Sequence, residues 1–289
     1  MFSTRTKIRI ARCLSAIVLS IRHVFGLPDD VVVVRRGVRW SLDLKDGIDF
    51  AIYLLGGFEV RTLRKYATLI KTGDIILDIG ANVGAHTLPL ALLVGDSGRV
   101  HSFEPTAHAY SKQCANIALN PVLQSRIRAN QMMLMASAES IVPAAVYSSW
   151  PLEKAEDLHG EHFGRLMSTD GALMDTVDRH VMGLGNPRID FIKLDVDGNE
   201  LDVLLGAQAV LKRSKPRIML ELAPYVYDQQ PQKFDELLQV LWSCGYEISS
   251  VDSGRQLPRS PDAVRKAIPE SGGMNVIASQ KGVELTGAV

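Results

Sequence analysis

Apolar residues in this chain gather in short unbroken runs between turn signals, and these runs alternate with stretches of helical spacing. The clearest run, Ile75-Ile76-Leu77, lies between Gly73 and Asp78-Ile79-Gly80. That pattern predicts a strand buried on both faces, as in a parallel sheet. A small-residue loop, Gly80-Ala81-Asn82-Val83-Gly84, leads to a helix over about Ala85–Val94. Gly95 to Gly98 break the helix, and a second strand, Arg99–Phe103, ends at Glu104-Pro105. Pro89 is out of place inside a helix, so that helix begins late or bends there. Pro105–Leu119 reads as a crossover helix stopped by Asn120-Pro121. Further strands are predicted at Arg128–Met135, Ile189–Val196 and Arg217–Leu222. Helices are predicted at Asn199–Lys212 and Gln232–Cys244, the second closed by Gly245. Tyr246–Val251 and Met274–Ala278 complete a seven-stranded sheet, one of this last pair being antiparallel. Strands alternating with helices make an α/β fold with helices on both faces of a mostly parallel sheet.

Upstream, Val31–Val34 and Val38–Leu44 read as a hairpin turning at Gly37. Asp49–Leu55 and Glu59–Ile70 read as helices, with Val60, Leu63, Tyr66, Ala67 and Ile70 on one face. The organisation expected is an N-terminal helical appendage (1–30), a hairpin and helices leading into the core (31–72), and a main domain (73–281). A loop-rich insertion lies near 140–175. Ile141–Tyr147 within it is compatible with a strand. Ser148–Leu173 is polar and mixed, carrying Trp150, His159, His162 and Arg165, and is the stretch expected to recognise an acceptor. The tail after Lys281 reads as frayed.

Composition narrows the function. The 289 residues carry 32 Lys and Arg against 32 Asp and Glu, which argues against nucleic acid as a partner. Cys13, Cys114 and Cys244 form no metal-binding or disulfide pattern, so a reducing, cytoplasmic setting is expected. Ile8–Phe25 is helix-compatible, with Arg9, Arg12 and Arg22 around an apolar segment too short to span a bilayer. It leaves open a peripheral membrane contact through residues 8–25, packing on its own domain, or a homodimer.

The loop after the first strand selects among cofactors. A dinucleotide site uses G-x-G-x-x-G; here Asn82 stands where the second Gly would be. S-adenosylmethionine has no pyrophosphate. It requires a small-residue turn, a carboxylate near its ammonium group and a second carboxylate for its ribose hydroxyls. Asp78, Gly80, Asn82, Gly84 and Glu104 supply that set. Glu104 lies 24 positions after Gly80, near the roughly 20-residue offset of ribose-binding acids. Ser137, at the end of the third strand, would lie over the adenine edge. Asp195, Asp197 and Glu200 follow the fourth strand, where open α/β sheets bind ligands, and Glu221 is placed near the same rim.

Asp78-Ile-Gly-Ala-Asn-Val-Gly84, Phe103-Glu-Pro105, Asp190-Phe-Ile-Lys-Leu-Asp-Val-Asp-Gly-Asn-Glu200, Leu201-Asp-Val-Leu-Leu-Gly-Ala207 and the run from Pro216 to Glu221 together resemble the signature blocks of FkbM-family methyltransferases. The resemblance covers roughly 56–222. It implies a class I methyltransferase (Rossmann-like) fold, S-adenosylmethionine as donor and transfer to an acceptor hydroxyl. It also places Glu59 near the cofactor and Pro105 beside the ribose acid. The chain departs from the family in having Asp197 where Glu is usual, and in lacking an aromatic residue near His86.

Methyl transfer requires in-line placement and a base for the hydroxyl proton. Asp195 is the first candidate base, Lys193 the group that pairs with it, and Glu200 the one that orients either. His86 and His162 are alternative bases. Asp195, Asp197 and Glu221 could suit Mg²⁺, but the family does not require a metal and none is assigned. The expected acceptor is a sugar hydroxyl of a glycan or glycoconjugate, with a polyketide-type metabolite as the alternative. An NAD(P)-dependent reductase is disfavoured by the loop and by the lack of a Tyr-x-x-x-Lys pair. A cofactor-binding but idle partner subunit is disfavoured by the intact acids.

Overall fold

The computed structural model describes residues 4–148, 151–152, 164–269 and 272–280. Helix α1 (Thr4–Val24) precedes a hairpin of β1 (Asp30–Arg35) and β2 (Val38–Asp43), turned by Arg36 and Gly37, both at positive φ. α2 (Gly47–Leu55) and α3 (Val60–Leu69) follow. α2 is capped at its start by Asp46, whose carboxylate accepts the N–H groups of Ile48 and Asp49.

The main sheet begins with β3 (Ile75–Ile79), α4 (Thr87–Val94), β4 (Arg99–Phe103), α5 (Ala107–Ala118), α6 (Pro121–Gln124) and β5 (Ile127–Asn130). Pro89 is the third residue of α4, a position whose N–H has no intrahelical acceptor, so its absence costs little. The helix does begin late. The predicted third strand divides. β5 stays beside β4, while β6 (Met132–Leu134) leaves the sheet to pair with β9 (Leu173–Asp175). The insertion is also more ordered than its composition suggests. β7 (Ala145–Ser148) and β8 (Arg165–Ser168) form an antiparallel ladder, with Ser148 opposite Arg165. Trp150, His159 and His162 lie outside the described residues, as does the tail after residue 280.

α7 (Val177–Gly183), β10 (Phe191–Leu194), α8 (Glu200–Leu205), α9 (Gln208–Arg213), β11 (Arg217–Leu222), α10 (Pro231–Ser243), β12 (Tyr246–Ser250), α11 (Pro261–Ala267) and β13 (Met274–Gln280) complete the chain. The single helix expected over Asn199–Lys212 is broken at Gly206, where a Cβ would overlap the Met135 carbonyl oxygen. The seven-stranded sheet runs β12-β13-β11-β10-β3-β4-β5, and β13 is antiparallel to both its neighbours. This is the strand order of the class I methyltransferase fold.

Both faces are covered. Leu77, Ile192, Leu194, Ile218 and Leu220 pack under α7, α8 and α10, while Ile76, Phe191 and Met219 pack under α3, α4 and the hairpin. Burial on two sides explains why these strands read as unbroken apolar runs. β3 and β10 are parallel neighbours at the point where the order reverses, so a crevice opens beyond their carboxyl ends.

Candidate active site

That crevice holds a cavity of about 350 Å³, within the range of small-molecule sites. Its wall is built from the β3–α4 loop, the end of β4, β6, the β7–β8 ladder and the residues after β10. Backbone geometry is unusual here. Glu59, Asn82 and Asp197 all adopt left-handed φ of 48°, a conformation that persists in non-glycine residues where surroundings over-determine it.

Gly80 fits because nothing larger does. Its φ is 80° and a Cβ would overlap the Asp195 carbonyl oxygen, so any side chain would push the two strand ends apart. The N–H groups of Gly80 and Ala81 both donate to the Phe103 carbonyl, each at 3.0 Å. Gly84, also at positive φ, packs against Leu88 and Gln113. Asn82 donates its backbone N–H to Glu104 Oε2 (2.9 Å) and its side-chain amide to Ser148 Oγ (3.1 Å). The loop, Glu104 and Ser148 of the insertion are therefore one hydrogen-bonded unit.

Glu104 is buried and lines the cavity beside Pro105. Its Oε1 accepts from the Thr106 N–H (2.9 Å) and hydroxyl (2.6 Å). Burial raises its pKa, against the pull of those hydrogen bonds. Oε1 is thereby filled, and Oε2, which takes the Asn82 N–H alone, has capacity for one more donor, such as a ribose hydroxyl.

Asp78, expected at the cavity wall, lies beneath it instead. It is fully buried, accepts from Thr87 Oγ1 (2.6 Å) and sits 3.8 Å from Lys193 Nζ, while its Oδ1 has no hydrogen bond. Burial raises its pKa, and Lys193 opposes that shift. Lys193 Nζ also donates to the Gly80 carbonyl (2.9 Å) and lies 3.3 Å from Asp195 Oδ2. Burial alone would lower the ammonium pKa, but Asp195, Asp78 and Glu59 outweigh it and hold the pKa above its ordinary value. Asp195 lines the cavity with its side chain about a third exposed.

Two predicted residues do not join this group. Glu200 is buried and turned into the β10–α8 loop, where it accepts the Val196 N–H (3.1 Å), the Gly198 N–H (3.1 Å) and the Tyr227 hydroxyl. Ser137 is exposed and absent from the cavity wall, because the chain bends away after Asn130; Met132, Met133 and Leu134 face the cavity instead. Glu221 packs against Gly273. Among the described residues, no three His, Cys, Asp or Glu side chains converge to hold a metal ion.

His86, Ile48, Phe58 and Tyr147 also line the cavity. His86 Nδ1 is 2.9 Å from Tyr66 Oη, and Nε2, with no hydrogen bond of its own, is 4.0 Å from Glu59 Oε2. Burial and then Lys193 hold the imidazole well below its ordinary pKa, so it is neutral. Glu59 is steadied by Asn275 Nδ2 (3.1 Å) and Thr62 Oγ1 (3.2 Å); burial and the nearby Asp195 raise its pKa. The spacing of α3 marks Tyr66 only as a core residue, and nothing local marks Asn275.

S-adenosylmethionine suits these residues: a side-chain-free turn at Gly80, an acid with an open acceptor site at Glu104, and an apolar edge at Met132–Leu134. Methyltransferase sdnD of Sordaria araneosa is 29% identical over 161 residues, covering 47% of this chain and 61% of its own length. A probable cobalt-precorrin-6B C(15)-methyltransferase (decarboxylating) of Saccharolobus solfataricus is 26% identical over 150 residues, covering 48% and 71%. Among solved structures, the methyltransferase FkbM of Methylobacillus flagellatus is 16% identical with a TM-score of 0.45, covering 77% of this chain and 48% of its own. The P. horikoshii TYW2 complex with MeSAdo is 15% identical with a TM-score of 0.45, covering 91% and 80%. The model of the FkbM methyltransferase domain matches residues 78–248, more than half of the sequence, and the chain belongs to the FkbM family of S-adenosylmethionine-dependent methyltransferases.

Proposed function

We propose that the protein is an S-adenosylmethionine-dependent O-methyltransferase whose acceptor is a sugar hydroxyl of a glycan or glycoconjugate. The observation that carries this reading is one cavity with groups for both reactants. Gly80, Glu104 and Met132–Leu134 offer a nucleoside a turn, an acid and an apolar edge, while Asp195, on the same wall, offers a carboxylate to an acceptor.

Glu104 takes a ribose hydroxyl, and the Gly80–Asn82 turn lies along the methionine portion. When bound, S-adenosylmethionine supplies a methyl group already activated by its sulfonium. The protein's work is then placement and proton removal, and placement alone can supply about 7–11 kcal/mol of the barrier. Lys193 holds Asp195 at the cavity wall. The Asp195 carboxylate takes the hydroxyl proton as the oxygen–carbon bond forms and the carbon–sulfur bond breaks.

Ile48, Phe58 and Tyr147 in the cavity wall favour a second acceptor class, a polyketide-type metabolite with its own hydroxyl. Incubation with labelled S-adenosylmethionine and extracted glycans, then product analysis, separates the two. Label recovered as a sugar methyl ether supports the proposal. Label only in a lipophilic metabolite, or bonded to carbon, overturns the acceptor assignment.

A further inference from the structure

Helix α1 carries its large aliphatic side chains on the outside. Towards the domain it presents Ser15, which is 2% exposed and donates to the Leu44 carbonyl at 2.8 Å, with Val18 and Leu19 beside it. Ile10, Leu14, Ile17, Ile21 and Val24 face away, recurring at alternating spacings of four and three residues. They form a continuous seam along the helix. Ile17 is 56% exposed, Ile21 55% and Val24 82%, and exposed Phe25 extends the seam past the helix end. A helix that only covers its own domain turns its principal apolar stripe inward.

Charge decides what fits the seam. α1 contains Arg5, Lys7, Arg9, Arg12 and Arg22 and no Asp or Glu, in a chain whose net charge is zero. Arg9 is exposed, while Arg12 and Arg22 are half-buried, Arg22 donating to the Pro28 carbonyl (2.8 Å). A second copy of α1 would bring no acid to meet these cations. No helix among the described residues is long and apolar enough to cross a membrane. An apolar seam within a cationic helix matches a surface that is anionic outside and apolar just beneath. We propose that α1 binds the surface of an anionic lipid bilayer, with the seam at the acyl boundary and the cations among the headgroups.

The test is co-sedimentation of the full chain with vesicles of phosphatidylcholine and phosphatidylglycerol, and with vesicles of phosphatidylcholine alone. Binding is expected to the mixed vesicles and to weaken in high salt, which screens the attraction. The double variant Ile17→Glu, Ile21→Glu should lower the partition coefficient by roughly tenfold or more, from lost apolar burial. Arg9→Glu should also lower it while leaving the aliphatic residues of the seam in place. An unchanged thermal unfolding transition checks that the variants fold. The proposal is overturned by absent binding, by equal binding to both vesicle types, by seam variants that bind as the parent does, or by a dimer that the seam variants dissociate. No turnover is read, so the result stands apart from the transfer reaction.

Discussion

Lys193 is the residue on which the charged part of the site turns. It lies 3.8 Å from Asp78, which has no exposure to water, and 3.3 Å from Asp195, which reaches the cavity. Lys193→Met should therefore cost about 3–5 kcal/mol of stability, the typical result of stranding a buried charge, and chemical denaturation measures it. A loss below 1 kcal/mol, on the scale of exposed ion pairs, would contradict the coupling to Asp78. Asp195→Asn should behave differently, leaving cofactor affinity in place while lowering turnover by about 10²–10⁴-fold. Equal loss of both would remove Asp195 from the chemistry. Lys193, Asp195, Gly80 and Glu104 were legible because strand-end residues converge in any sheet of this order. Ser137 was misread because it depended on a third strand that in fact divides. Tyr66 and Asn275 were invisible because only the fold brings them to His86 and Glu59.

Elements show the same division between local and distant causes. The β10–α8 loop is held by Glu200, which ties Val196, Gly198 and Tyr227 together. Tyr227→Phe should destabilise the protein by about 1–3 kcal/mol, the range for losing a hydrogen bond to a charged group. The readout is the unfolding midpoint, and a large fall in turnover with no change in that midpoint would restore a catalytic role for Glu200. On β4, His101 packs beside His180, and burial lowers its pKa to about 4. A depressed histidine pKa means that the unfolded chain binds the proton first as pH falls below about 6.5. Stability contributed by neutral His101 is thus present near pH 7 and is lost as pH falls towards 4. Between pH 7 and 5, urea denaturation should show the parent losing about 2 kcal/mol more than His101→Phe. Equal slopes would contradict this. The hydrophobic spacing located most elements within a few residues, whereas partner exchange left no local mark. Arg128–Met135 carries one continuous strand-like pattern, although Gln131 separates a segment paired with β4 from one paired with β9.

The whole molecule is a doubly covered sheet whose switch point lies between β3 and β10. Alternation of strand and helix made that architecture readable, since a run buried on both faces has few other uses. Of the β7–β8 ladder only the first strand was readable, within Ile141–Tyr147; its partner is four residues in a polar, mixed stretch, yet Ser148 ties the ladder to Asn82 in the β3–α4 loop. The central proposal is that one crevice, lined by Gly80 and Glu104, receives S-adenosylmethionine. Calorimetric titration of the chain and of Glu104→Ala with S-adenosylmethionine tests this most directly. Binding of one equivalent by the parent is predicted, weakened by about 1.5–3 kcal/mol in the variant, or roughly ten- to a hundredfold. No heat from the parent, or equal affinity in both proteins, would contradict it.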